Sequence, residues 1–168
     1  MSSWNDYITS KLLNVVDSNN HKLENVLTNA MIVGNTDGAV WAATQGFALR
    51  NEPVDVTLDD GTMKKETVNE LFNIADAFCN NGDTKKLGGI RINKDKFYMT
   101  NFDNERKVMY LKKSGGGGCI ALTGKAYIIG VFQTSNKMKK DGVEENQNPG
   151  YCNKVVEELQ AYFLSIGY

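Results

Sequence analysis

From Gly89 to Phe132 apolar residues recur at every second position in short runs: Ile90 and Ile92, Phe97 and Met99, Val108 and Tyr110, Ile120 and Leu122, then Tyr127 to Phe132. Period two is the signature of a β-strand, whose successive side chains point to opposite faces. The breaks between runs are short: Lys94-Asp95, Asp103-Asn104, a glycine run and Thr123-Gly124. Parallel neighbours need crossovers of a dozen residues or more, so these connections predict an antiparallel meander. Ala30–Val33 and Val40–Ala43 read as two further strands joined by a turn at Asn35-Thr36-Asp37-Gly38.

Helical spacing frames this middle. Trp4, Ile8, Leu12 and Val15 predict a helix from about Trp4 to Val16, with Ser3 as N-cap and Asp6 at its positive end. Val68, Leu71, Phe72, Ala75, Phe78 and Cys79 predict a second from Glu66 to about Asn80, stopped by Asn80-Asn81-Gly82. Val156, Leu159, Phe163 and Ile166 predict a last one, Tyr151 to about Ile166, opened by Pro149-Gly150. Arg50–Lys65 reads as an extended loop or ragged hairpin and Gln133–Asn148 as a polar connection. The expected fold class is α/β of the α+β type: a central antiparallel sheet with the N- and C-terminal helices packed together on one face. A length of 168 residues with no repeat or linker predicts one domain over 1–168.

Several function classes fall away. A net charge of −1 gives no bulk attraction to nucleic acid, and no apolar run approaches the ~18 residues of a membrane span. The start Met1-Ser2-Ser3-Trp4-Asn5-Asp6 has neither a basic nor an apolar signal region, and Cys79, Cys119 and Cys152 are widely spaced, so reduced thiols in a cytoplasmic protein are expected. Gly115–Gly118 precedes a strand, not a helix, so it is read as a turning hairpin connection that needs positive φ, not a phosphate cradle. His21, the only histidine, sits in a polar segment, no cysteine has a partner at metal spacing, and no acid–base carboxylate pair stands out. No enzyme activity, metal or cofactor is expected.

Two features point to binding. Trp4 and Tyr7 are three apart and share a helix face, while Tyr162 and Tyr168 lie on and just beyond the last helix. Side by side, the terminal helices would make one aromatic shelf suited to proline-rich, extended ligands; the same spacing also fits rings that cap a core. Lysines gather at Lys85-Lys86, Lys112-Lys113 and Lys137, Lys139 and Lys140, beside Arg91. They are either solvated loop charge or a local patch for an acidic or anionic partner.

Four motifs in order resemble the profilin family. They are Ser3-Trp4-x-x-Tyr7, the hairpin ending in Val40-Trp41-Ala42, Lys112-Lys113-Ser114-Gly115-Gly116-Gly117-Gly118-Cys119-Ile120 with Lys125 to Phe132, and Cys152-Asn153-x-Val155-Val156-Glu157-x-Leu159 with the closing Gly167-Tyr168. The resemblance spans nearly the whole chain. It implies a polyproline-binding shelf of Trp4, Tyr7, Trp41, Tyr162 and Tyr168, and an actin-monomer surface with Lys112, Lys113, Gly150, Asn153, Lys154 and Glu158. It also implies partners among proline-rich proteins such as formins, and phosphatidylinositol phosphate head groups at basic patches. The chain departs from the family at Lys94-Asp95-Lys96-Phe97-Tyr98, where many members carry Leu-Gly-Gly-x-Lys-Tyr, and its segments Arg50–Lys65 and Ser135–Asn148 are longer than usual. The implied function is regulation of actin assembly; the alternative is a proline-motif adaptor with weak or lost actin binding.

Overall fold

The computed structural model describes residues 4–84 and 89–168; Ser3, the expected cap, and the Lys85-Lys86 pair lie outside them. Seven antiparallel strands form the main sheet in the order β4-β3-β11-β10-β9-β8-β7. These are β3 (Asn29–Gly34), β4 (Val40–Ala43), β7 (Ile90–Ile92), β8 (Asp95–Asp103), β9 (Val108–Lys113), β10 (Gly116–Leu122) and β11 (Ala126–Gln133). Period two sorts their side chains onto two cores. Ala30, Ile32, Cys119, Ala121, Ala126, Ile128 and Phe132 face one side. Met31, Val33, Ile120, Tyr127, Ile129 and Val131 face the other. Both faces are covered, so the central strands β10 and β11 are buried along almost their whole length.

The N-terminal segment and the last helix share the first face, as the meander between two amphipathic ends predicts. Ile8 and Leu12 pack in one cluster with Val155, Val156, Leu159 and Phe163 of α3 (Pro149–Ser165). Close approach there depends on Gly130: a Cβ would stand 2.8 Å from Leu27 and 2.9 Å from Val156. The second face carries Ile74, Ala77 and Phe78 of α2 (Glu70–Cys79). Among the described residues no helix is long and apolar enough to cross a membrane.

Four boundaries differ from expectation. The first helix does not reach Val16: α1 (Trp4–Tyr7) continues as a π-helical stretch (Ile8–Leu13), closed by Asn14 N–H donating to the Thr9 carbonyl at 2.9 Å. Val15–Val16 is instead β1, paired with β2 (Lys22–Glu24). α2 starts at Glu70 because the Asn69 side chain accepts from Phe72 N–H at 3.0 Å. Residues 66–69 belong to a projecting hairpin of β5 (Asn51–Thr57) and β6 (Met63–Asn69), so the Arg50–Lys65 segment is the hairpin and not the loop. Its base is clamped by the buried Glu70 carboxylate, which accepts from the N–H groups of Arg50, Asn93 and Lys94 at 2.7–2.9 Å. Of the glycine run, Gly115 alone takes a turn φ of +73°. Gly116–Gly118 are strand residues, where a Cβ at Gly117 would stand 2.5 Å from the Leu111 carbonyl oxygen.

The polar connection before α3 is also ordered. β12 (Lys137–Lys140) and β13 (Val143–Asn146) extend a second sheet, β1-β2-β12-β13. Buried Gln147 ties it to the main sheet, accepting from Thr28 Oγ1 at 2.7 Å and from Gln133 N–H at 3.2 Å, and donating to the Asn25 carbonyl at 2.8 Å.

A similar amide secures α3. Buried Gln160 donates through Nε2 to the carbonyls of Arg106 at 2.7 Å and Leu122 at 2.8 Å. Replacing Gln160 with Leu orphans both carbonyls and should lower stability by roughly 1–3 kcal/mol. Urea unfolding reads this directly; an unchanged midpoint would show that water satisfies the carbonyls equally well.

Candidate functional site

The five aromatic residues singled out from sequence converge. Trp4 lies 4.6 Å from Trp41, 5.4 Å from Tyr7 and 5.5 Å from Tyr168 by ring centroids, and Tyr7 lies 6.1 Å from Tyr162. Their tilted and edge-on geometries are those that aromatic quadrupoles favour. Tyr162 is exposed, and the other four are half-buried, packed against the core cluster on their inner side and open to solvent on their outer side. Beneath them sits Phe163, fully buried, with its ring 5.4–6.3 Å from Tyr7, Trp4, Tyr162 and Tyr168. Its helical spacing marks Phe163 as core only; it is also the floor of the shelf.

Tyr168 is held by backbone. Gly167 adopts φ +88° just after the α3 C-cap, Gly167 N–H reaches the Leu164 carbonyl at 3.4 Å, and Tyr168 N–H donates to the Phe163 carbonyl at 2.8 Å. This is the Schellman arrangement, which a glycine at that position permits. The main-chain oxygen of Tyr168 accepts from Lys125 N–H at 2.8 Å, and the Lys125 ammonium stands 4.9 Å above the Tyr168 ring. Lys11 covers Tyr162 in the same way at 5.8 Å. Lys11 is one helical turn beyond Tyr7 and could have been found by spacing; nothing in sequence links Lys125 to Tyr168. A hydrogen bond with Tyr162, and after it burial, raises the Tyr7 phenol above its usual pKa.

The candidate basic face is at the far end of β9. Lys112 and Lys113 leave the strand on opposite sides. Lys113 is engaged, 3.0 Å from Asp95 Oδ2 and 5.3 Å over the Phe97 ring, while Lys112 is exposed. A depression of about 400 Å³ joins the pair to Gly115, Gly116, Phe132 and Pro149, so the start of α3 with exposed Gly150 borders the same surface. Half-buried Asn153 comes next on α3. The β12–β13 hairpin stands alongside, with Lys140 5.7 Å over the Tyr151 ring.

Lys154 and Glu158 turn elsewhere. The Lys154 ammonium is 2.9 Å from Asp17 Oδ2, and Glu158 Oε1 accepts from Ser18 N–H at 3.1 Å, so both face the β1 end. Their neighbour Glu157 faces the sheet edge, accepting from the Tyr110 hydroxyl at 3.0 Å and pairing with Arg106 at 2.8 Å. Burial, reinforced by that carboxylate, pushes the Tyr110 phenol up to about 12. At Asp17, burial opposes ionisation, but the N–H groups of His21 and Asn19 and the Lys154 ammonium outweigh it and hold the carboxyl below its ordinary value.

Comparison with known proteins agrees with this architecture. Residues 2–168 match the family model described as Profilin. The chain is 39% identical to the profilin of Tetrahymena pyriformis over 171 residues, covering all of both chains. Among solved structures it resembles Schizosaccharomyces pombe profilin (19% identity, TM-score 0.67, covering 99% of this chain and 100% of that one). It also resembles mouse profilin IIa in complex with a double repeat from the FH1 domain of mDia1 (19% identity, TM-score 0.53, covering 85% and 90%).

The Asp17–Lys154 pair gives a pH test. A depressed native pKa means that the unfolded chain binds the proton more readily, so the pair's stabilisation is complete above the ordinary carboxylate value of 3.8 and is lost as pH falls through the native value. Asp17→Asn should therefore lower stability at pH 7 and flatten the decline of stability into acid, measured by urea midpoints from pH 7 down to pH 3. Parallel curves for the two proteins would remove Asp17 from the acid limb.

Proposed function

The chain belongs to the profilin family, and from that premise we propose that it binds monomeric actin on one surface and proline-rich segments on another, bringing actin subunits to proline-rich assembly factors such as formins. Membership makes it an actin-binding regulator of the cytoskeleton that works by binding and not by catalysis. We read residues 1–168 as one profilin-like domain acting in the cytoplasm, where actin assembles.

The observation that carries the proline half is the collection of Trp4, Tyr7, Trp41, Tyr162 and Tyr168 over Phe163. A polyproline helix rises ~3.1 Å per residue and offers bare carbonyls with no N–H of its own. Rings stepped by 4.6–6.1 Å meet it about every second residue, and tryptophan N–H and tyrosine O–H groups are the donors its carbonyls lack. The mouse relative solved with the FH1 repeat supports the same assignment.

For actin, the supporting observation is that Lys112, Lys113 and Pro149 line one depression, with Gly150 and Asn153 following Pro149 along the first turn of α3. Lys154 and Glu158 act in this reading by holding α3 to the β1 end. Exposed Lys112 is also where phosphatidylinositol phosphate head groups would dock, in a local and salt-sensitive way. The β12–β13 hairpin beside α3 favours a second reading, an adaptor that keeps the proline site while actin access is narrowed.

Two single variants separate these. Trp4→Ala should cost on the order of 2 kcal/mol of polyproline affinity and spare actin sequestration. Lys112→Glu should weaken sequestration in pyrene-actin assembly, more so at low salt, and leave polyproline retention unchanged. Sequestration absent from the unaltered protein would select the adaptor; full polyproline retention by a folded Trp4→Ala would return the rings to a core-capping role.

A further inference from the structure

The apolar surface does not end at Tyr162. A groove of about 330 Å³ lies between β1 and α3, lined by Val15, Val16, Leu159, Ala161 and Tyr162 together with the polar side chains of Asp17, Ser18 and Glu158, and with Lys11, whose ammonium stands over the Tyr162 ring, at the Tyr162 end. Val15 is buried in the core, but Val16 is 65% exposed, an apolar side chain that the fold itself does not use. Tyr162 belongs to both surfaces: it stands 6.1 Å from Tyr7 on the shelf and lines the groove. A ligand that leaves the shelf past Tyr162 therefore passes directly over the groove.

We propose that this groove binds the residues flanking the proline run of the ligand, taking an apolar non-proline side chain at the end nearest Tyr162. The inference rests on the reading of the shelf as a proline-rich-peptide site. Two observations choose this occupant. A proline ring is held against its own backbone, whereas a leucine side chain extends away from it and presents more apolar surface to Val16 and Ala161. Glu158 is an acceptor, with one oxygen taking the Ser18 N–H and further lone pairs open. A proline run has no N–H to offer it; the first non-proline residue does. The shelf thus supplies donors where the ligand has only carbonyls, and the groove supplies an acceptor where the ligand regains its donor.

The test compares three peptides by titration of tryptophan fluorescence: decaproline, decaproline extended at its N-terminal end by acetyl-Ser-Gly-Leu, and decaproline extended at its C-terminal end by Leu-Gly-Ser, so that leucine adjoins the proline run and carries an amide N–H in both. One of the extended peptides should bind on the order of 5- to 10-fold tighter than decaproline, the scale of burying one apolar side chain against ordering costs. Val16→Asp, at a position outside the core, should abolish that gain and leave decaproline affinity unchanged. N-methylation of the leucine should remove part of the gain by deleting the donor for Glu158. No gain for either extended peptide, or a gain that survives Val16→Asp, overturns the groove while the shelf stands. Failure of decaproline itself to bind overturns the shelf reading and the groove proposal with it.

Discussion

The ring of Phe163 is the point on which the rest depends. It is wholly enclosed, yet Trp4, Tyr7, Tyr162 and Tyr168 all lie against it, edge-on or tilted, at 5.4–6.3 Å. Burying such a ring contributes about 2–3 kcal/mol, and truncating it to Ala would cost about 3–5 kcal/mol once the cavity is counted. The more telling consequence is geometric. Both ends of the chain must sit on one face of the sheet for their rings to meet over one floor. The binding surface is then the outer layer of the core, already ordered before a ligand arrives, and association loses little side-chain freedom.

α3 connects this layer to the opposite end of the molecule. Its last turns supply Tyr162, Phe163 and, through the Schellman turn, Tyr168; its first turn borders the depression beside Lys112. Between them the helix is fastened on both flanks: Glu157 to Tyr110 and Arg106, Gln160 to carbonyls of the sheet edge, Lys154 to buried Asp17. In the proposed function, two ligands held at its two ends would be brought together by simple tethering, which requires no conformational coupling between the sites.

The meander was legible because β3, β4, β7, β9, β10 and β11 carry period-two patterns with short connections, and β4 falls at Val40–Ala43 in both sequence and structure. The aromatic five were legible through helical spacing and family motifs. What sequence hid was set by distant partners. Val15 continues the helical spacing from Leu12, but its backbone pairs with Leu23, and Leu23 pairs in turn with Lys140. Val68 fits the periodicity of α2, but its strand partner is Glu52 and Asn69 caps the helix one residue later. Glycine in a run reads as a turn; here three of the four are strand residues because the neighbouring strand and Phe132 press too close for a Cβ. Lys154 and Glu158 share a motif with Asn153, and only the position of β1 brings them to Asp17 and Ser18.

Hydrogen-bonding capacity links the shelf to the groove beside it. A surface of rings alone would grip any apolar chain, since stacking area is indifferent to the backbone that carries the stacked groups. Donors at the ring edges narrow the choice to a backbone whose carbonyls are free along its length, and polyproline is the one extended backbone that exposes every carbonyl while donating nothing. Such a surface still cannot tell the middle of a proline run from its end. An acceptor set just past the last ring can: Glu158 faces a mismatch while prolines lie over it and gains a partner when the first N–H arrives. Oε1 keeps the Ser18 N–H, but the carboxylate's remaining lone pairs lose solvation as prolines cover them, so the mismatch costs more than a missing contact would. In the proposed reading the same pair of features sets the register: the ligand slides until its proline run covers the rings and its first donor reaches the carboxylate.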